Sequence, residues 1–244
     1  MQRSSLLKWS LFSLARQTIP FTIETIVLND GLPDETETIC REYQDRLNLT
    51  YVFTGHRNLD GQLQWRVPGF VYNIGAKLAK GEVLILSCAE MFHLNDCITR
   101  LTEPLLNNRK LIGMPEGVDD QDGSCLKYVI DMNGNIGEDR MDLYPVLNTF
   151  LPFLLSISRE EYFSIGGYDE DFTGISFDDN DLVDRLLTDG CSHYRCGAKT
   201  IHLYHQRNLF YGKNMYEAIA YNERLYLDRR RQIVRNQNRE WGIL

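Results

Sequence analysis

No stretch of this chain is apolar for the roughly 18 residues that a membrane span requires. The longest candidate, FLPFLLSI (150–157), has the length of a strand. No two cysteines stand as CxxC, and the six in the chain are scattered. That argues against a zinc ribbon or a disulfide scaffold and for reduced thiols in a cytoplasmic setting. Positive charge is not in excess: 26 Lys and Arg face 34 Asp and Glu, for a net charge of −8. Nothing in that balance suggests a general nucleic-acid binder. No GxGxxG follows a strand-like run and no P-loop pattern is present, which disfavours a dinucleotide oxidoreductase and a P-loop nucleotidase. The opening MQRSSLLKWSLFSLARQTIP lacks a clean signal-peptide core and a small-residue cleavage site. Repeats, low-complexity segments and clear linkers are also missing. With 244 residues, 43% of them hydrophobic, a single domain spanning 1–244 is the economical expectation.

What is present has an alternating rhythm. Leu7, Leu11 and Leu14 recur at helical spacing, which predicts a packed amphipathic helix at the start. TIETIVLND (22–30) and LTYVFTGH (49–56) read as strands with a polar helix between them. The helix FVYNIGAKLAK leads into GEVLILS (81–87), an unbroken apolar run expected of a buried strand. A helix around DCITRLTEPLL and a strand KLIGMP follow. This βαβα order predicts an α/β fold with a mostly parallel sheet flanked by helices. Residues 116–146 are rich in Gly, Asp and Asn and read as a long excursion. FLPFLLSIS and KTIHLYH (199–205) read as later strands, and 213–244 as a helical tail. In open α/β sheets, ligands bind beyond the carboxyl ends of strands. Asn29 with Asp30, Glu90 with His93, and His202 with His205 all lie at such ends.

One stretch stands out. GGYDEDFTGISFDDNDLVDRLLTDG (166–190) carries eight carboxylates in 25 residues. Leu182, Val183, Leu186 and Leu187 form an apolar stripe, and at about 100° per residue Asp179 projects onto its middle. Asp179 is therefore expected to face inward at the helix start, with Asp181 and Asp184 facing water. A carboxylate at a helix N-terminus is held ionised by unpaired N–H groups and the helix dipole, able to accept a proton. A helix cap without chemistry explains the same position. A calcium loop fits less well: DEDFTG opens like an EF-hand, but its twelfth position is Asn180, where a bidentate Glu is needed.

Four pieces, in order, resemble one family. GGYDEDFTGISFDDNDLVDRL is similar to the GGFDE…EDxDLxxRL segment of family 2 glycosyltransferases and their galactosyltransferase-like relatives. SLARQTIPFTIETIVLNDGLPDET, YNIGAKLAKGEVLILSCAEMF and HLYHQRN resemble that family's earlier and later motifs. The resemblance implies a GT-A fold, a nucleotide-sugar donor (a UDP-sugar first), a hydroxyl acceptor such as a glycan, a divalent cation (Mn²⁺ or Mg²⁺), and transfer with inversion. It implies a nucleotide-sugar-binding half over 1–115, an acceptor and catalytic half over 116–212, and the helical tail beyond. Asp179 takes the position of the catalytic base, with Asp178 and Gly167 toward the acceptor. Asp30 and Asn73 take positions near the nucleotide, although an Asx-turn and a helix entry explain those two equally well. Glu90 and His205, with His202 second, take the metal positions. His202 and His205 are three apart, so both reach one ion only if the strand ends or bends between them. Two departures matter. The family's opening strand has no counterpart in the chain, and its Asp-x-Asp reads Cys88-Ala89-Glu90. Those departures leave a second expectation open, a non-catalytic sugar- or nucleotide-binding module on the same scaffold.

Overall fold

The computed structural model describes residues 3–31, 33–55, 66–206 and 215–244. The first helix, α1 (Ser4–Leu14), buries Leu7 and Leu11 as its spacing predicts. β1 (Thr25–Asn29) pairs in parallel with β2 (Leu49–Phe53), and α2 (Thr36–Leu47) connects them. Asn48 turns the chain between helix and strand in the left-handed conformation, at φ 44°, which Asn tolerates. α3 (Pro68–Leu78) opens with proline, whose missing N–H costs nothing at a helix start.

β3 (Val83–Ser87), the short β4 (Met91–His93), β5 (Leu111–Asp119), β6 (Leu154–Ser158) and β7 (Ser192–His202) form one five-stranded sheet in the order β3-β6-β5-β7-β4. It is mixed: only β5 and β7 run parallel, and the other three pairings are antiparallel. The parallel arrangement predicted from the βαβα rhythm is thus confined to β1–β2 and β5–β7. Among the described residues β1 and β3 belong to different sheets. α4 (Cys97–Asn107) covers one face, burying Leu101 and Leu105. On the other face Ile112, Met114, Leu155 and Ile157 pack with Leu182 and Leu186. Fully burying a side chain of this size contributes about 1.5–3 kcal/mol, so this double-sided core fixes the sheet that carries the site.

Proline shapes the register. Pro115 has no N–H to give a ladder, and the β5–β7 pairing slips there, from Met114 opposite Arg195 to Glu116 opposite Lys199. Gly197, at φ 70°, absorbs the extra residues. The slip sets Asp119 opposite His202 at the strand ends.

The expected excursion over 116–146 is more ordered than its composition suggests. β5 runs on to Asp119, α5 (Ser124–Asp131) follows, and a 3₁₀ helix spans Glu138–Leu143. The Gly and Asp residues are caps: Asp120 accepts hydrogen bonds from the N–H groups of Gly123, Cys125 and Leu126 at the start of α5. After β6 come α6 (Arg159–Ser164) and α7 (Asp178–Thr188), the helix of the acidic stretch. Among the described residues the tail is helical over α8 (Met215–Arg229), and Arg235 and Asn236 beyond it contact the acidic loop at Asp169, Gly166 and Glu170.

Candidate active site

Six of the eight carboxylates between Gly166 and Gly190 are committed elsewhere. Asp169 and Asp171 bind Arg229 at 2.7 and 2.6 Å. Glu170 accepts from Asn73 and from the Gly242 N–H. Asp184 meets the Tyr226 hydroxyl, and Asp189 meets Lys110. Asp181 does not face water as its helical angle predicts. It is buried between Arg185 and Arg235, each at 2.7 Å. A buried ion pair made with a residue 54 positions later turns the helix further than its apolar stripe indicates. Leu187, on that stripe, is correspondingly exposed.

Asp178 and Asp179 remain, with no cationic partner among the described residues. Their backbone enters α7 through two left-handed residues, Ser176 at φ 77° and Phe177 at φ 70°. Bulky residues pay for that conformation. The buried Asn222 of α8 holds it, with its amide donating to the carbonyls of Thr173, Ile175 and Ser176. Asp179 is half-buried and accepts a hydrogen bond from the Tyr168 hydroxyl at 2.9 Å. Asp178 is buried, and its Oδ2 has no hydrogen-bond partner. Burial raises both acids above the ordinary carboxylate range. Asp178 goes further because the Asp179 charge adds to burial, whereas the Tyr168 hydrogen bond pulls Asp179 back. Environments that push neighbouring acids apart leave one protonated and one ionised near neutral pH.

A second cluster lies across β4 and β7. Glu90, His202 and His205 each offer one ligand atom, all within 4.8 Å of one another. β7 ends at His202, which removes the strand-geometry objection to both histidines sharing an ion. The turn beyond is fixed by the Leu203 N–H on the Glu90 carbonyl, 2.9 Å, and the Tyr204 N–H on Asp120, 3.3 Å. His202 Nε2 and His205 Nε2 then stand 3.4 and 3.3 Å from Glu90 Oε1. Arg3 also contacts that oxygen. Burial works against the Glu90 charge, but both histidines and Arg3 hold its carboxyl well below the ordinary range. Glu90 Oε2 is buried without a hydrogen-bond partner. An orphaned carboxylate oxygen beside two imidazoles is a donor set that fits a divalent cation.

Aromatic side chains join the two clusters. Tyr168, bound to Asp179, stacks on Tyr72 at 5.7 Å between centroids. The Tyr72 hydroxyl lies 3.7 Å from Cys88 Sγ, two residues before Glu90. The charges of Asp179 and Glu90 both act on the Tyr72 hydroxyl and on the Cys88 thiol. Tyr72 and Tyr168 lie within the quoted motifs, yet nothing in their spacing marks them as site residues.

Other expected positions fare differently. Asn73 is fully buried and spends its amide on Tyr168 O and Glu170, and its oxygen on Tyr162 and the Tyr168 N–H. That leaves it nothing for a nucleotide, so it is a brace for the acidic loop. Gly167 faces packing rather than acceptor: an added Cβ would meet Asn73 Oδ1 at 2.4 Å and Trp241 at 2.8 Å. Asp30 ends β1 as expected, but its carboxylate binds Arg66 Nε at 2.7 Å and meets Thr54. His93 is turned to Ser13, 2.8 Å away, rather than to Glu90. Arg229 is drawn into ion pairs, whereas Arg230 and Arg231 are exposed as a solvated face would be. Trp65, which the sequence offers equally as a residue stacking on the donor or as loop packing, lies outside the described residues.

Comparison with known proteins bears on the family and the fold. The family model described as "Glycosyl transferase family 2" matches residues 2–148, and that described as "N-terminal domain of galactosyltransferase" matches 139–208. Validoxylamine A glucosyltransferase of Streptomyces hygroscopicus subsp. limoneus is 40% identical over 83 residues, 34% of this chain and 17% of that protein. The chain thus aligns with less than a fifth of the length of such curated relatives. Among solved structures, GalNAc-T7 with UDP, GalNAc and Mn²⁺ superposes with a TM-score of 0.57 at 15% identity, over 81% of this chain and 41% of that one. S. aureus TarS superposes at 0.57 and 16% identity, over 91% and 38%. These likenesses are of fold, and the fold is that of GT-A glycosyltransferases. The first family match runs over more than half of the sequence, and on that ground the chain belongs to glycosyl transferase family 2.

Proposed function

We propose that this chain transfers a sugar from a UDP-sugar to an acceptor hydroxyl with inversion, using Asp179 as the base. One observation carries the reading. Among the described residues, Asp178 and Asp179 are the acids of the loop left without a cation or a tail contact, and Asp179 is linked through Tyr168 and Tyr72 toward a carboxylate and two histidines that could hold a cation. Asp179 takes the acceptor proton as that oxygen attacks the anomeric carbon. The bond from that carbon to the diphosphate breaks on the opposite face, and UDP leaves with the bonding pair. Asp178, holding its own proton, offers a hydrogen bond beside the reacting oxygen. Glu90, His202 and His205 would hold the cation, which when bound neutralises charge on the leaving diphosphate. Two imidazoles favour a transition ion, so Mn²⁺ suits the set better than Mg²⁺. Two structural neighbours, GalNAc-T7 with UDP and Mn²⁺ and S. aureus TarS with UDP-GlcNAc, support the choice of donor class.

The Asp30–Arg66 pair favours the second reading, a binding module, because it occupies a carboxylate that a nucleotide would otherwise engage. Turnover separates the two. A panel of UDP-, GDP- and dTDP-sugars, assayed with and without Mn²⁺, should show cation-dependent transfer or hydrolysis of a UDP-sugar. Asp179→Asn should lower kcat by about 10²–10⁴ with donor affinity unchanged. Wild-type turnover by that variant would remove Asp179 as base. Tight sugar or nucleotide binding with no turnover of any donor would establish the module instead.

A further inference from the structure

The cation cluster has a neighbour that takes no part in it directly. Asp119 ends β5 directly opposite His202, and its Oδ1 lies 3.0 Å from His202 Nδ1. Both side chains are buried, at 7% and 2% exposure. The backbone is pinned on both sides of the contact. The Asp119 N–H donates to the Pro145 carbonyl at 2.8 Å, and the Asp120 N–H donates to the His202 carbonyl at 3.0 Å. Asp119 Oδ2 is itself held by the Gln121 amide at 3.3 Å. The His202 ring is wedged edge-on against Phe153 and His205.

We infer that Asp119 is a positioning residue for the cation site, fixing the tautomer and aim of His202 so that Nε2 is the nitrogen offered to the ion. The inference rests on the metal-assisted reading above. Its chemistry is simple. A neutral imidazole has one N–H and one lone pair, and an ionised carboxylate only accepts. Asp119 therefore keeps the hydrogen on Nδ1, and the lone pair is left on Nε2. That lone pair points toward Glu90 Oε1, 3.4 Å away, with His205 Nε2 at 3.3 Å from the same oxygen. Three possible ligand atoms converge there, all within 4.8 Å of one another, as a cation site requires. A carboxylate behind a ligating histidine also raises the basicity of the nitrogen in front. Asp120, one residue on, cannot serve. Its oxygens are spent on four backbone N–H groups, of Gly123, Cys125, Leu126 and Tyr204.

The test uses Mn²⁺ alone, titrated into the full chain and read by electron paramagnetic resonance, for wild type, Asp119→Asn and Asp119→Ala. Asp119→Ala should bind about 10- to 100-fold more weakly. Asp119→Asn should lose less, because its amide oxygen still accepts from Nδ1. Long-range ¹H–¹⁵N spectra of the metal-free chain should show His202 protonated at Nδ1 in wild type. Equal Mn²⁺ affinity in wild type and a folded Asp119→Ala would overturn the inference alone. So would a wild-type neutral His202 whose ring hydrogen sits on Nε2, a readout that stands even if Asp119→Ala fails to fold. Absence of Mn²⁺ binding by wild type would overturn the metal reading and this inference together.

Discussion

The proposed base, Asp179, has to be ionised to take a proton, although burial disfavours its charge. The Tyr168 hydroxyl, donating at 2.9 Å, is the group that offsets this. Other titratable groups around the pair are Asp178 on the same helix, Tyr72 on α3 and Cys88 and Glu90 across the site. Hydrogen bonds to charged groups contribute about 1.5–3 kcal/mol, so removing this one should raise the base by about one to two pKa units. Activity that needs ionised Asp179 is lost as pH falls through its pKa. Tyr168→Phe should therefore move the acid limb of the kcat profile upward by about one to two units, with little change well above it. A limb that stays in place would show that Tyr168 only packs. This role lies beyond what a sequence reveals, since Gly166-Gly167-Tyr168 reads the same whether the hydroxyl is used or solvated.

Most elements were legible because apolar spacing reports what a segment packs against. Leu7 and Leu11 mark α1, and the run over Val83–Ser87 marks β3, and both stand where the pattern predicts. α5 was hidden because its flanking Gly and Asp residues, which cap it through Asp120, look like loop. The aim of α7 was misread at Asp181 for a related reason. Apolar periodicity carries no information about an arginine that arrives from the tail, and Arg235 is what buries that acid. The two histidines were legible as a pair, but the turn that unites them depends on the Asp120 carboxylate and the Glu90 carbonyl, both distant in sequence. α7 also depends on α8 for its entry. Asn222 makes three hydrogen bonds to the left-handed segment ahead of Asp178 and accepts one from the Thr173 N–H. Asn222→Ala should destabilise the fold by about 1–3 kcal/mol, the cost of orphaned buried groups. Since that segment aims Asp179, kcat should fall more than donor affinity does. Equal losses in kcat and affinity would place Asn222 in general stability rather than in aiming the base.

At the scale of the whole molecule, the site is built at a cost that pH can expose. Asp178 is raised in the folded chain by burial and by the Asp179 charge. Its folded pKa lies above its unfolded one, so the folded state binds more protons across that window. Stability should therefore fall as pH rises from the ordinary carboxylate range through the raised value. Asp178→Asn should flatten that slope. It should melt above wild type at alkaline pH, by about 2–4 °C for each kcal/mol relieved, and show no gain near pH 4. Identical pH slopes in the two proteins would mean that Asp178 is not raised. Around that strained centre the rest of the chain braces. The Arg229, Arg235 and Arg239 guanidiniums tie the tail to Asp169 and Asp171. Pro115 and Gly197 set the register that brings Asp119, His202 and Glu90 to one end of the sheet.

The most direct measurement is anomalous scattering at the manganese edge from crystals soaked with UDP and Mn²⁺. The account predicts one strong peak bonded to Glu90, His202 and His205, touching the diphosphate, with Asp179 facing the open side. A manganese peak away from these three side chains, or UDP bound with no peak beside it, would contradict it.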